Sequence, residues 1–231
     1  MTTTIKDFTI VSITFNNEGI YNTIASILPL IQSGAKMIIQ NGGAPIELKQ
    51  NEIRIYNEPD SGIYDALNKG ISKVETKFFM LLHAGDTFIG KSNDIIDILM
   101  DLEKSSKTIS LNSQYIGSRL HSNLYWRPWM LRLGVQPSHL PCIYKSEVFK
   151  EKKYSLDIPI IADFDFFLNQ VNWKCAYWNN KLLVKMETGG ATSSGIKSLF
   201  FVSKCFYNSY GVKGLIMATL RIPLKLLQAI K

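Results

Sequence analysis

"DFTIVSITFNNEGIYNTIASILPLIQSG", Asp7 to Gly34, decides how the chain is built. Phe8, Ile10, Val11, Ile13 and Phe15 form a short apolar run, which predicts a buried strand. Ile20, Ile24, Ile27, Leu28 and Ile31 then recur at helical spacing, with Gly34 as a stop. A buried strand feeding straight into a helix opens an α/β arrangement.

The pattern repeats downstream. "KMIIQNGG" (36–43) and "IRIYN" (53–57) predict two more strands. "NEPDSGIYDALNKGI" (57–71) begins as a turn and becomes a helix whose stripe Ile63, Leu67, Ile71 and Val74 is expected to face the core. "KFFMLLHAGD" (77–86) predicts a fourth strand and "SNDIIDILMDLEK" (92–104) another helix. Alternating strands and helices imply an α/β fold with a mostly parallel sheet covered on both faces. Ligands of such sheets gather beyond the carboxyl ends of the strands. Four polar clusters fall there: Thr14-Phe15-Asn16, Asn41-Gly42-Gly43, Asn57 to Asp60, and His83 to Asp86.

The second half is less regular. "IPIIADFDFFLNQV" (158–171) reads as a loop running into a helix, and "NKLLVKMETGGATSSG" (180–195) as a strand leaving into a glycine-serine turn. The simplest division is one domain over 1–195 and a basic amphipathic helical tail over 196–231.

Composition narrows the classes. Apolar residues make up 46% and charged residues 19% of 231, which is globular and not disordered. The net charge of +7 favours anionic partners. Cys142, Cys175 and Cys205 are too scattered for a disulfide framework or a zinc site. "MTTTIKDF" has no apolar run, so no signal peptide is expected. The chain has no G-x-x-x-x-G-K-[ST], G-x-G-x-x-G or G-x-S-x-G, which argues against a P-loop, a dinucleotide site and a serine hydrolase. His83, His121 and His139 show no metal-ligand spacing along the chain.

Taken in order, these motifs resemble the inverting glycosyltransferases of family 2, of GT-A fold, in the branch serving bacterial exopolysaccharide, capsule and O-antigen synthesis. "TIVSITFNNEGIYNTIASI" resembles that family's first strand, nucleotide loop and first helix. "NEPDSGIYDALNKGI" is similar to the branch's long signature, and "FFMLLHAGD" stands where the family carries its metal-binding D-x-D. "IADFDFF" resembles the segment of the catalytic base, and "ETGGATSSG" the turn after the last strand. The likeness runs from about Phe8 to Gly195.

The resemblance implies a Rossmann-like GT-A domain that transfers a sugar, with inversion, from a nucleotide-sugar donor, UDP-linked, to a glycan or lipid-linked acceptor. It places the donor nucleotide at Thr14, Phe15, Asn16, Glu18, Asn41, Asp60, Gly62, Asn68 and Lys69. It places a divalent metal, Mg2+ or Mn2+, at Asp86, the base at Asp163 with Asp165 as the alternative, and the acceptor side at His139 and Asp165. Ser61 is expected to cap the helix.

Two departures stand out. Asn41 replaces an expected aspartate, and "LHAGD" keeps one carboxylate of the D-x-D. They support a second reading, a non-catalytic nucleotide-binding relative that acts as a membrane-associated interaction protein. A nucleotidyltransferase would need a glycine-rich basic loop early in the chain, which "TFNNEG" does not supply.

The tail "GVKGLIMATLRIPLKLLQAIK" (211–231) sets Arg221, Lys225, Gln228 and Lys231 apart from Leu220, Leu224 and Leu227, with Pro223 between them. Such a helix suits an anionic membrane surface. The expected location is the cytoplasmic, inner face of the cell membrane, with no nucleic-acid partner.

Overall fold

In the computed structural model the described residues are 3–48, 50–187 and 195–219, with side chains from residue 200 in the last segment. The chain divides into two compact units. The first comprises Met1–Tyr125, Ser138–Lys153 and Asn172–Thr188; the second comprises Trp126–Pro137, Tyr154–Val171 and Gly189–Lys231.

The first unit holds a nine-stranded sheet. Its parallel half is built around β1 (Phe8–Thr14), in which all seven residues are buried. A strand covered on both faces does not alternate, which is why Phe8, Ile10, Val11 and Ile13 crowd together and the buried hydroxyls of Thr9 and Ser12 take partners in Thr76 and the Leu82 carbonyl. β2 (Lys36–Asn41) and β4 (Phe78–Leu81) flank it in parallel, and β3 (Ile53–Asn57) pairs with β2 in parallel. α1 (Gly19–Gln32) connects β1 to β2, and α2 (Ile63–Ser72) connects β3 to β4 and packs on β1 and β2. α1 ends where expected: the Gly34 N–H closes back on the Ile31 carbonyl, with φ at +106°.

After β4 the sheet becomes mixed. β5 (Thr87–Phe88), α3 (Ser92–Lys104), β6 (Ile109–Ile116), β7 (Arg119–Ser122), β8 (Ile143–Lys145) and β9 (Ala176–Met186) complete the order β3-β2-β1-β4-β8-β6-β9-β5, with β7 pairing β6. β8 runs antiparallel to both β4 and β6, and β9 runs parallel to β6. β6 escapes a sequence reading because its buried residues include Ser110, Asn112, Ser113 and Gln114. A buried amide needs partners. Asn112 donates to the Pro141 carbonyl (2.7 Å) and Gln114 to Ser138 Oγ (3.0 Å). These polar residues tie the 138–141 segment to β6.

The second unit contains a 3-10 helix (Pro128–Leu133), α4 (Ala162–Asn169) and α5 (Gly195–Tyr210). α4 and α5 pack through the Phe164 and Phe206 rings, whose centroids lie 5.6 Å apart, edge to face. Val202, Cys205 and Phe206 form the buried face of α5, while Phe200 and Tyr207 are exposed. The start of the expected tail is therefore helical and packs on α4. The 189–194 turn and residues 220–231, including the Leu220–Leu224–Leu227 stripe, lie outside the described residues. All three cysteines are free, and burial pushes the Cys142 and Cys205 thiols up to about 12.

Two expectations for α2 are corrected. Its buried face is Tyr64, Ala66, Leu67, Gly70 and Ile71, and Ile63 is exposed. Its N-cap is Gly62, at φ +127°, with no side-chain cap from Ser61. The helix starts later and turns further than the apolar periodicity implied, because Asp60 and Asp65 order its approach. Leu67→Ala should lower unfolding free energy by about 2–5 kcal/mol, and Ile63→Ala by no more than about 0.5 kcal/mol. Urea unfolding of both variants checks this; equal losses would restore Ile63 to the core.

Candidate functional site

The parallel registers bring the first three strand ends level. Thr14 lies opposite Asn41, and Asn41 opposite Asn57. Asn41 is buried, and its amide is fully engaged. Nδ2 donates to the Ala44 carbonyl and to Asn57 Oδ1, each at 2.7 Å, and Oδ1 accepts from the Gly43 N–H at 3.0 Å. Asn57 Oδ1 also accepts from the Ile46 N–H (3.0 Å). An aspartate has no hydrogen to donate, so it could not make the first two bonds. The asparagine builds the loop after β2.

Two more loops close on that one. Asn16, at φ +49°, accepts the Ala44 N–H through Oδ1 at 2.7 Å. Asp60 Oδ1 accepts the Gly62 N–H at 3.0 Å. The contact with Gly42–Gly43 explains why both are glycine. A β-carbon on Gly42 would stand 2.8 Å from Asp60 Cγ, and one on Gly43 would stand 2.6 Å from the Asn16 nitrogen. Thr14 is buried, Phe15 is 68% exposed, and Asn16 and Glu18 are exposed, with Glu18 at the N-cap of α1.

The start of α2 is ordered by Asp65. Its Oδ2 accepts the Ser61 N–H (2.9 Å) and the Lys69 ammonium (2.8 Å), and Lys69 Nζ also donates to the Pro59 carbonyl (2.8 Å). The hydrogen bond from Lys69, then that from the Ser61 N–H, hold the Asp65 carboxyl below the usual carboxylate range. Asn68 is half-buried beside Lys69 in the sequence.

The β4 end lies on the same unit. Thr23 of α1 donates to the Asp86 carbonyl (2.8 Å) and accepts the Gly85 N–H (3.0 Å). Asp86 is 6% exposed, and its Oδ1 accepts the Glu187 N–H at 3.2 Å. Burial pushes its carboxyl up to about 6, against the pull of that N–H and of His139. His139 arrives from the loop before β8, and its Nε2 lies 3.5 Å from Nε2 of His83. Among the described residues no three His, Cys, Asp or Glu side chains converge as a ready metal cage. Asp86 is thus a single carboxylate, which suits a metal only when a ligand supplies further oxygens.

The remaining expected residues belong to the second unit. Asp163 is buried in the first turn of α4, where the helix N-terminus favours negative charge. Its Oδ2 accepts a 2.6 Å hydrogen bond from Gln136 Nε2. Asp165, two residues on, accepts from Asn169 Nδ2 (2.8 Å). Sequence reasoning missed Gln136 and the His83–His139 pair. The only signal for Gln136 was its place in "GVQPSHLP".

No protein-family model matches the chain, and no curated protein matches it. Solved structures do. Residues 1–349 of S. aureus TarS superpose with a TM-score of 0.65 at 10% identity, over 93% of this chain and 71% of that one; the longer S. aureus TarS chain is covered to 39%. S. aureus TarS 1–349 in complex with UDP-GlcNAc gives 0.59 at 12% identity, over 90% of this chain and 70% of that one. The mannosyltransferase PcManGT from Pyrobaculum calidifontis, in complex with GDP-Man and Mn2+, gives 0.57 at 10% identity, over 97% and 79%. What is shared at such identities is the fold, a GT-A-like α/β architecture.

Asp86 carries a pH signature. Between about 3.8 and about 6 the unfolded chain has lost the proton that the folded chain keeps. Stability therefore falls as pH rises through that window. Asp86→Asn should remove that fall, so the variant gains roughly 3 kcal/mol on the wild type across it. Melting curves of both proteins over that range check this; parallel curves would contradict it.

Proposed function

We propose that the chain transfers a sugar, with inversion, from a UDP-linked donor to a glycan or lipid-linked acceptor in bacterial surface polysaccharide synthesis. The observation that carries this reading is the convergence of the loops after β1 and β3, through Asn16 and Asp60, on Gly42–Gly43 of the loop after β2, in a fold shared with S. aureus TarS and PcManGT. Asp60 presents a carboxylate to ribose hydroxyls or the base edge. The exposed Phe15 ring offers an apolar surface to the base. Thr14, Asn16, Glu18, Asn41, Gly62, Asn68 and Lys69 complete the donor side in this reading. Asn41 and Lys69 act there chiefly by holding the loops that carry the others.

In the chemistry, an acceptor hydroxyl oxygen attacks the anomeric carbon as the bond to the diphosphate breaks. The hydroxyl proton goes to Asp163. Gln136 fixes the orientation of that carboxylate, and Asp165, bonded to Asn169, acts on the acceptor side. A divalent metal, when bound, supplies positive charge to the departing diphosphate, and Asp86 is the carboxylate given to it.

A panel of nucleotide sugars, read by release of the nucleoside diphosphate and by calorimetric binding, tests the reading. Turnover with one donor is the expected result; donor binding with no release under any acceptor would favour the non-catalytic relative. With that donor, Asp163→Asn should lose about 10²- to 10⁴-fold in turnover while binding it as the wild type does. Wild-type turnover in the variant would move the base elsewhere.

The same reading places the protein on the cytoplasmic face of the inner membrane. Among the described residues no helix is long and apolar enough to cross a membrane. In the helical stretch 212–219, Val212, Leu215 and Ile216 are exposed, with Lys213 beside them, and the basic sequence of 220–231 follows. Each basic residue near anionic lipid is worth about 1 kcal/mol. Removal of 212–231 should abolish salt-sensitive co-sedimentation with anionic vesicles; unchanged binding would refute the assignment.

A further inference from the structure

We propose that His83 and His139 are nitrogen ligands of one divalent ion, which gives this protein a preference for Co2+ or Zn2+ over Mg2+. The inference rests on the transferase reading only in giving that ion the donor diphosphate to bind.

The two rings meet nitrogen to nitrogen. Their centroids are 5.7 Å apart and their Nε2 atoms 3.5 Å apart. That spacing exceeds the roughly 2.7–3.2 Å of a good hydrogen bond. It is close to the ~3.4 Å that separates two nitrogens bound about 2.1 Å from one tetrahedral ion.

Both residues are anchored through their backbones. The His83 carbonyl accepts from the Asp86 N–H (3.0 Å) and from Thr23 Oγ1 (3.2 Å), and the neighbouring Leu82 and Ala84 N–H groups bond to Val11 and Ile13 of β1. His139 follows Ser138, which Asn123 clamps from both sides: Asn123 Oδ1 accepts the Ser138 N–H (3.0 Å) and Nδ2 donates to its carbonyl (2.9 Å). The His139 carbonyl accepts the Cys142 N–H (3.1 Å). The two imidazoles are held together by fixed backbones on separate segments, so their proximity is not a local accident of one loop.

The donor chemistry sets the choice of ion. Mg2+ demands oxygen ligands, whereas imidazole suits later divalent metals. Two protein nitrogens leave positions open, and solvent or diphosphate oxygens fill them.

The test is Co2+ titration of the untagged full-length protein, read by visible absorption and calorimetry, with Mg2+ and Zn2+ in parallel. The expected result is one Co2+ per chain with the intense visible bands of a four-coordinate ion, and far weaker Mg2+ binding. His83→Gln and His139→Gln should each weaken Co2+ by about tenfold or more, and the double variant should remove it. His121→Gln, on the β7 strand, should bind as the wild type does. Melting temperatures report whether each variant is folded. Co2+ affinity unchanged in folded His83→Gln and His139→Gln, or Mg2+ binding as tightly as Co2+, would overturn the proposal. If it fails while a nucleotide sugar is still turned over, the transferase reading stands alone. Co2+ binding by the pair in a protein that binds no nucleotide sugar would support the pair and refute the transferase reading.

Discussion

The buried amide of Asn41 is the interaction on which the donor side depends. It sits at the end of β2 between two parallel neighbours, where backbone ladders stop and polar groups must find other partners. By donating twice and accepting once, it joins the loop after β2 to the end of β3. Asn16 and Asp60 then close on the glycines of that loop. Residues far apart in sequence become one rim because one side chain satisfies three backbone or side-chain groups at once. An aspartate at that position would present a charge; this asparagine presents a scaffold.

The mixed half of the sheet does comparable work with buried polar side chains. Asn112 and Gln114 of β6 carry the 138–141 segment, and Asn123 holds Ser138. Each buried amide costs stability unless paired. Here the paired amides face a loop and not a ladder, so their pairing fixes where His139 stands.

Much of the parallel half was legible from the sequence. β1 to β4, α1 and α3 announce themselves by apolar runs and helical spacing, and their polar ends mark the rim. Around α2 the periodicity misled, since Ile63 and Tyr64 are both apolar enough to define a stripe and only the hydrogen bonds that Asp60 accepts from the Gly62 N–H and Asp65 from the Ser61 N–H decide the helix phase. β5 to β8 were hidden: they are short, or filled with buried Ser, Asn and Gln that read as loop. The His83–His139 pair was hidden for the same reason. It exists only because β8 runs antiparallel to β4, and no spacing along the chain encodes that pairing. Likewise Gln136 meets Asp163 through tertiary folding alone.

The antiparallel pairing of β4 and β8 has a consequence for how the chain can vary in length. Met80 lies opposite Ile143. Three residues beyond the first and four before the second come the histidines. A strand's side chains alternate between faces, so a slip of one residue exchanges neighbours. An insertion or deletion between residues 80 and 83 would displace His83 from its place beyond β4, and one between 139 and 143 would displace His139 from its place before β8, so either would separate the two rings. Those two stretches therefore tolerate substitution far better than any change in length, whereas the loop of residues 45–48, which lies outside the strands, can lengthen without moving either histidine.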